Sequence, residues 1–277
     1  MANKLLLPRI PRLKGIRQPI RPIRDQNNTI NRGLIGHWMQ SGSSIGIDPD
    51  LSEFANDATI TAGSSQYSHH GGTAMSFNGS STLAAISQND AILGAAPRSL
   101  SLWINNTDNT IRAIFSYGVA TTFNFFALYI NVIGGAGGDL YFASNGNDIH
   151  TGSLVIATNT WYHVVLTYNG GTLATVGTLL IYVNGVSQSL TTAGSPSSLA
   201  TLASTINIGN DVGTAGRNWK GGLENVRWYN RVLDPVEVSQ LYAEPYVGLI
   251  DITQWPRVGV AAAAGASRAR TMMGVGL

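Results

Sequence analysis

The stretch "WYHVVLTYNGG" (Trp161–Gly171) carries Tyr162, Val164, Leu166 and Tyr168 on one parity and Trp161, His163, Val165, Thr167 and Asn169 on the other. A strand repeats every two residues, so the first set shares one face, and that face is apolar throughout, as the core of a sandwich requires. Asn169-Gly170 tolerates positive φ and suits a hairpin turn, and "VNGVS" (Val183–Ser187) repeats the signal. Two antiparallel hairpins are therefore expected over 161–190.

The pattern extends in both directions. "GLIGHWM" (33–39), "TAMSFNG" (73–79), "SLSLWIN" (99–105), "FFALYINV" (125–132), "DLYFAS" (139–144), "TLLIYVNG" (178–185), "INIGND" (206–211) and "LENVRWYN" (223–230) are short and rich in β-branched and aromatic residues. One helix interrupts them. "LDPVEVSQLY" (233–242) offers Asp234 as N-cap, Pro235 at the first position and Glu237 at the third, with Val238, Leu241 and Tyr242 on one face.

Composition agrees. A chain of 277 residues with 12% charged residues and 32 glycines fits one strand-and-turn domain with flanking segments. The absence of cysteine excludes disulfide frameworks, thiolate metal sites and cysteine nucleophiles. Three leucines before Pro8 are too few for a signal-peptide core, and no apolar run reaches membrane-span length, so a soluble protein made in a cytoplasm is expected.

The formal charge of +2 conceals a division. Seven Lys/Arg residues lie within the first 24 positions, with prolines at 8, 11, 19 and 22 and no acid before Asp25. Between Gly33 and Pro245 there are six basic and thirteen acidic residues. The chain thus reads as an extended basic arm (1–32), an all-β body (33–245) and an Ala/Gly-rich tail (246–277).

The ordered series "GLIGHW", "DPDLSEFANDATITAG", "AMSFNGSS", "SLSLWIN", "WYHVVLTYNGG", "LLIYVNG", "INIGND" and "WKGGLENVRWYNRVLDPVEVSQLY" resembles the laminin-G-like, concanavalin A-like jelly-roll domains over about 33–245. The resemblance implies an all-β sandwich of two antiparallel sheets with the first strand near the last. It also implies, for some members, a structural calcium ion and sugar binding on a sheet face or rim. Glu224-Asn225 stands where the family's closing block usually has Asp-Glu.

Candidate chemistry follows. Asp48, Asp50 and Asp57, with Glu224, supply hard oxygen ligands for Ca²⁺; the alternative is a solvated loop whose carboxylates cap turns. Asp48, Asp50 and Glu53 also read as Asp-x-Asp-x-x-Glu, close to a β-glucanase motif, but Pro49 interrupts the strand and the position is early in the domain. His69-His70 are adjacent and point to opposite faces, His163 lies on the polar parity of its strand as a surface or cross-strand partner, and His37 and His150 have no visible partner. Neither a nucleophile elbow nor a phosphate loop is present, since "GGAGG" (134–138) lacks the following Lys-Ser/Thr. No enzyme is expected.

Sugar recognition needs an aromatic platform and planar polar groups. Trp219 with Asn210, Asp211, Arg217 and Asn218 has those types, as do Asn145, Asn147 and Asp148; alternatively Trp219 covers the end of the sandwich and the amides satisfy turns. In the arm, Arg9, Arg12, Arg17, Arg21 and Arg24 alternate with Pro, Ile and Leu and lack an aromatic to stack on bases. That favours docking on a protein over nucleic acid. A lectin-like body between a basic arm and such a tail is similar to bacteriophage virion proteins such as capsid decoration proteins, head fibres and tail-associated adhesins. The expectation is a homo-oligomeric structural virion component anchored to other virion proteins by its arm, with no membrane contact. The alternative is a carbohydrate-binding adhesin, and a glycoside hydrolase using Glu53 ranks third.

Overall fold

The computed structural model describes residues 28–249 except 41–45, 71–72, 88–91, 134–136, 174, 195–196 and 212, and without the side chains of 64–67, 147 and 193. The strands in chain order are β1 (Leu34–Trp38), β2 (Ile47–Asp48), β3 (Ala58–Thr61), β4 (Ser64–Tyr67), β5 (Thr73–Asn78) and β6 (Leu83–Ile86). Next come β7 (Arg98–Asn106), β8 (Arg112–Gly118), β9 (Phe125–Ile130), β10 (Leu140–Ala143), β11 (Asn147–His150) and β12 (Trp161–Tyr168). The last are β13 (Leu179–Val183), β14 (Val186–Ser187), β15 (Thr191–Gly194), β16 (Ile206–Ile208) and β17 (Lys220–Tyr229), before helix α1 (Pro235–Ala243).

They form two antiparallel sheets. The first runs β14-β13-β12-β7-β17-β5-β4, with β1 also on β17, and the second runs β15-β11-β10-β9-β8-β16-β6-β3-β2. Strand β17 pairs with β7 along most of its length, while its other edge takes β5 at one end and β1 at the other. The first strand therefore lies beside the last, as the resemblance implies.

Alternation builds the layers. Val164, Leu166 and Tyr168 enter the core between the sheets with Leu100, Leu102, Ile104, Phe126, Leu128 and Trp228. The opposite parity is not solvent-facing: His163, Val165 and Thr167 are buried too. Helix α1 covers that outer face, where Val165, Tyr182 and Tyr229 pack with Leu233, Val238 and Leu241. Burying both faces of a strand removes the polar alternation that a half-exposed strand would show.

The helix follows its sequence signals. Asp234 accepts from the Val236 and Glu237 amides, the Glu237 carboxylate reaches back to the Asp234 amide, and Pro235 opens the first turn. Arg231 pairs with Glu237 at 2.6 Å. Tyr242 differs from expectation: it is 40% exposed and lies over Trp103 instead of joining Val238 and Leu241 in the core.

Both hairpins form, through different turns. Asn184-Gly185 (φ +49° and +81°) closes β13 on β14 in two residues, the geometry that Asn-Gly favours. Strand β12 instead reaches β13 through residues 169–178, and Asn169-Gly170 only starts that loop.

Candidate functional site

A cleft of about 370 Å³ opens on the outer face of the second sheet. Parity creates it. In β9, Phe126, Leu128 and Ile130 fill the core, so Phe125, Ala127 and Tyr129 face outward; in β10, Tyr141 and Ala143 do the same. The register sets Tyr129 opposite Tyr141 and Ala127 opposite Ala143, with Ala113 of β8 opposite Tyr129. The Ala127–Ala143 pair leaves a hollow beside the paired tyrosines.

Polar groups come from two directions. Asp148, on β11, sits opposite Ala143, and Asn145 precedes it in the connecting turn with φ +57°. Asp211 and Arg217 come from the loop between β16 and β17. That loop is folded back onto β8 by bonds from the Ala113 amide to the Arg217 carbonyl (2.7 Å) and from the Gly209 amide to the Ile114 carbonyl (2.8 Å). The Arg112 side chain also donates to the Asn218 carbonyl at 3.0 Å.

The Arg217 guanidinium lies 5.4 Å from the Tyr129 ring centroid, a cation–π contact that holds it at the cleft. The Arg217 side chain is 36% exposed, whereas that of Asp211 is fully buried. Asp211 Oδ1 accepts the Gly213 amide at 2.7 Å. Its Oδ2 lies 3.6 Å from Arg217 Nη1, beyond hydrogen-bond distance. Burial and the neighbouring Asp211 carboxylate push the Tyr129 phenol well above its usual pKa, and burial with Asp148 does the same at Tyr141. Both hydroxyls therefore stay protonated. Tyr141 is half-buried and parallel to His150, with centroids 6.0 Å apart.

Several expected residues are here and others are not. Asp211, Arg217, Asn145 and Asp148 line the cleft. Trp219 is a correction: it is fully buried in the core and its indole N–H donates to the Gly222 carbonyl at 3.2 Å, so it offers no platform. Asn218 is buried, and neither it nor Asn210 lines the cleft; the Asn210 carbonyl accepts from Ser116 Oγ at 2.7 Å. The Asn147 side chain lies outside the described residues, as do Arg9, Arg12, Arg17, Arg21 and Arg24. The tyrosines and alanines escaped the sequence reading. Their signal was one parity of "FFALYI" and "LYFA" that mixes aromatic and small residues.

The acidic stretch 48–57 organises its own loop. Asp50 Oδ1 accepts the His37 and Ser52 amides (2.8 and 2.7 Å), and its Oδ2 accepts Ser52 Oγ and the Asn56 amide (2.5 and 3.0 Å). Asp57 accepts the Asp50 amide and Asp48 accepts the Gln40 amide, both at 2.9 Å. Burial, with Asp50 and Asp57 nearby, raises the Asp48 pKa to about 7. Glu224 is engaged by His70 at 2.5 Å. Among the described residues, no group of three or more His, Asp or Glu is placed to hold a metal ion, so Asp48, Asp50, Asp57 and Glu224 do not form the expected calcium set. Glu53 is exposed while Asp50 is enclosed, so that pair does not face across a substrate either.

The departure at Glu224-Asn225 has a local cause. Asn225 has φ +52° at a bulge in β17, a conformation that Asn tolerates better than Glu. Its side chain meets His37 Nε2 (2.8 Å), Arg227 Nε (3.2 Å) and the Pro245 carbonyl. Beside it, Trp103 lies between His69 and Tyr242, and His163 bonds Ser101 Oγ at 2.9 Å. The imidazole is buried and has no acidic partner on its second nitrogen.

Two packed antiparallel sheets with an aromatic and carboxylate-lined hollow on one outer face define a lectin-like β-sandwich. The family model described as "Concanavalin A-like lectin/glucanases superfamily" (Laminin_G_3) matches residues 77–239, more than half of the chain, and the chain belongs to that family. Among solved structures it is similar to domain 4 of AbnA, a GH43 extracellular arabinanase from Geobacillus stearothermophilus, in complex with arabinotriose. That match has 19% identity and TM-score 0.56, covering 76% of this chain and 98% of the other. The binding domain of Paraclostridial Mosquitocidal Protein 1 matches at 14% identity and TM-score 0.58, over 79% of this chain and 53% of that one. Trypanosoma rangeli sialidase in complex with sialic acid matches at 18% and 0.55, over 78% and 33%. The chain thus spans about half of the toxin domain and a third of the sialidase. No curated protein matches. Among the described residues no helix is long and apolar enough to cross a membrane.

Proposed function

We propose that this chain is a carbohydrate-recognition module that binds neutral glycans in the cleft between Tyr141, Asp148, Asp211 and Arg217, by binding and not by catalysis. The observation that carries the reading is the Arg217 guanidinium, partly exposed at the cleft and held there by the Tyr129 ring and the fully buried Asp211 carboxylate. With the Asp148 carboxylate on the same lining, it matches two sugar hydroxyls, one accepting from the guanidinium and one donating to the carboxylate. Tyr141 supplies a half-exposed ring against the apolar face of a sugar. Two carboxylates against one guanidinium disfavour acidic sugars. The arabinotriose complex of the AbnA domain is consistent with this use of the fold.

The test is a glycan array probed with the full chain and with Tyr141→Ala. The reading predicts signals on neutral glycans that the variant loses; an array blank for a folded protein, or confined to sialylated glycans, contradicts it.

A second reading concerns the setting. We propose that the module is a structural virion component, mounted through its arm (1–32) with the body displayed. The division between a basic arm and an acidic body supports it. Deleting residues 1–24 is predicted to prevent incorporation into particles, and normal incorporation contradicts the anchoring role.

A further inference from the structure

The outer face of the second sheet continues past the cleft. On β11 the core-facing residue is Ile149, so Asp148 and His150 point outward together. Asp148 lines the cleft and His150 lies beyond it. The register sets His150 opposite Tyr141 of β10 on one side and opposite Thr191 of β15 on the other, and Tyr141 opposite Tyr129 of β9. Tyr129, Tyr141, His150 and Thr191 therefore form one outward row that crosses four strands. Neighbouring strands lie about 4.8 Å apart, so the row is about 14 Å long. Its first member carries Arg217 over its ring, and its last, which is exposed, stands on the edge strand of the sheet.

His150 is set in place before any ligand arrives. Its Nδ1 lies 2.9 Å from the Thr151 carbonyl. A carbonyl only accepts, so Nδ1 carries the proton and Nε2 of the neutral ring is left as an acceptor. Thr151 is buried and tied to β10, where its amide donates to the Leu140 carbonyl and its Oγ1 accepts from the Leu140 amide, both at 2.9 Å. The imidazole is half-buried and parallel to Tyr141 within 4°, at a centroid distance of 6.0 Å that is usual for paired rings. A ring held in this way loses little freedom when a ligand settles on it.

We propose that the cleft is the first of two subsites, and that His150 and Thr191, beside Tyr141, form a second one that takes the next unit of a linear neutral oligosaccharide laid across the strands. This rests on the reading that the cleft binds neutral glycans, and it extends that reading to ligand length. One sugar occupies the space between Arg217 and Asp148. The next reaches the imidazole with its apolar face and donates a hydroxyl to Nε2, while the Thr191 hydroxyl can donate to or accept from another. Neither His150 nor Thr191 carries a formal charge, which suits an uncharged chain of hydroxyl-bearing units. Because β15 is the last strand of the sheet, the row ends in solvent and a longer chain can run on past it.

The test is calorimetric titration of the full chain, as parent and as His150→Ala, with arabinose and arabinotriose and with glucose and cellotriose. In at least one series the parent is expected to bind the trisaccharide about tenfold or more tighter than the monosaccharide. His150→Ala is expected to lose about fivefold or more on that trisaccharide and so to narrow the gap between the two lengths. Titration returns the active fraction separately from the affinity, so partial unfolding of the variant does not mimic this result. Equal affinity of the parent for both lengths, or a trisaccharide affinity untouched by His150→Ala, overturns the second subsite and leaves the cleft reading standing. Absence of binding by all four sugars overturns both.

Discussion

Arg217 holds its Nη1 3.6 Å from Asp211 Oδ2, close enough for attraction and too far for a hydrogen bond. The arginine is anchored from the other side by the Tyr129 ring, and the carboxylate by the Gly213 amide. The partly exposed guanidinium keeps donors for a third party. Arg217→Ala is therefore expected to weaken glycan binding by about tenfold or more, since hydrogen bonds to charged groups are worth roughly 1.5–3 kcal/mol. Because Arg217 is partly exposed, melting should shift by no more than about 2 °C. Calorimetric titration and a melt on the same sample check both.

Trp219 makes the opposite prediction. Its indole fills the core, so Trp219→Ala should cost about 3–5 kcal/mol of stability. Thermal unfolding should show a fall of many degrees, and any fraction that remains folded should bind glycan normally.

Asp48 gives a pH dependence of defined sign. Its folded pKa is about 7 against the 3.8 of a free aspartate, so the folded state retains a proton that the unfolded state releases. Stability from this group is full below about pH 4 and is lost as pH rises through 7. Asp48→Asn keeps an acceptor for the Gln40 amide and removes the titration. The variant should gain on the parent by a few kcal/mol between pH 5 and pH 8, as read by denaturant melts across that range.

His163 acts in the reverse direction. Burial, with Arg227 and His70 nearby, lowers its pKa to about 3 from 6.5. The unfolded chain takes up a proton that the folded chain refuses, so this contribution is present above pH 6.5 and is lost as pH falls towards 3. His163→Gln should flatten the acid limb of a plot of melting temperature against pH; an unchanged limb would place the acid sensitivity elsewhere.

Much of the fold was legible because the strands that define it are amphipathic or carry turn signals. Each of the nine quoted strand segments contains a strand, and the Asp234, Pro235 and Glu237 signature starts α1. What escaped were elements without contrast: β8, "RAIFSYG", is buried along its whole length and so lacks alternation. The site was half legible for a related reason. Asp148, Asp211 and Arg217 stand out as polar residues in a glycine-rich context, whereas Tyr129 and Tyr141 read as core because an aromatic on a strand does not declare its face. Trp219 misled the reading because size and loop position resemble a platform, while burial depends on the packing of both sheets around it.

The cleft itself is tested most directly by calorimetric titration of neutral oligosaccharides, an arabinotriose among them, into the parent chain and into Asp211→Asn. The substitution keeps the shape and the Gly213 bond and removes the charge beside Arg217. The account predicts saturable binding by the parent and a loss of about tenfold or more in the variant at unchanged melting temperature. Equal affinities, or no binding by either, would contradict it.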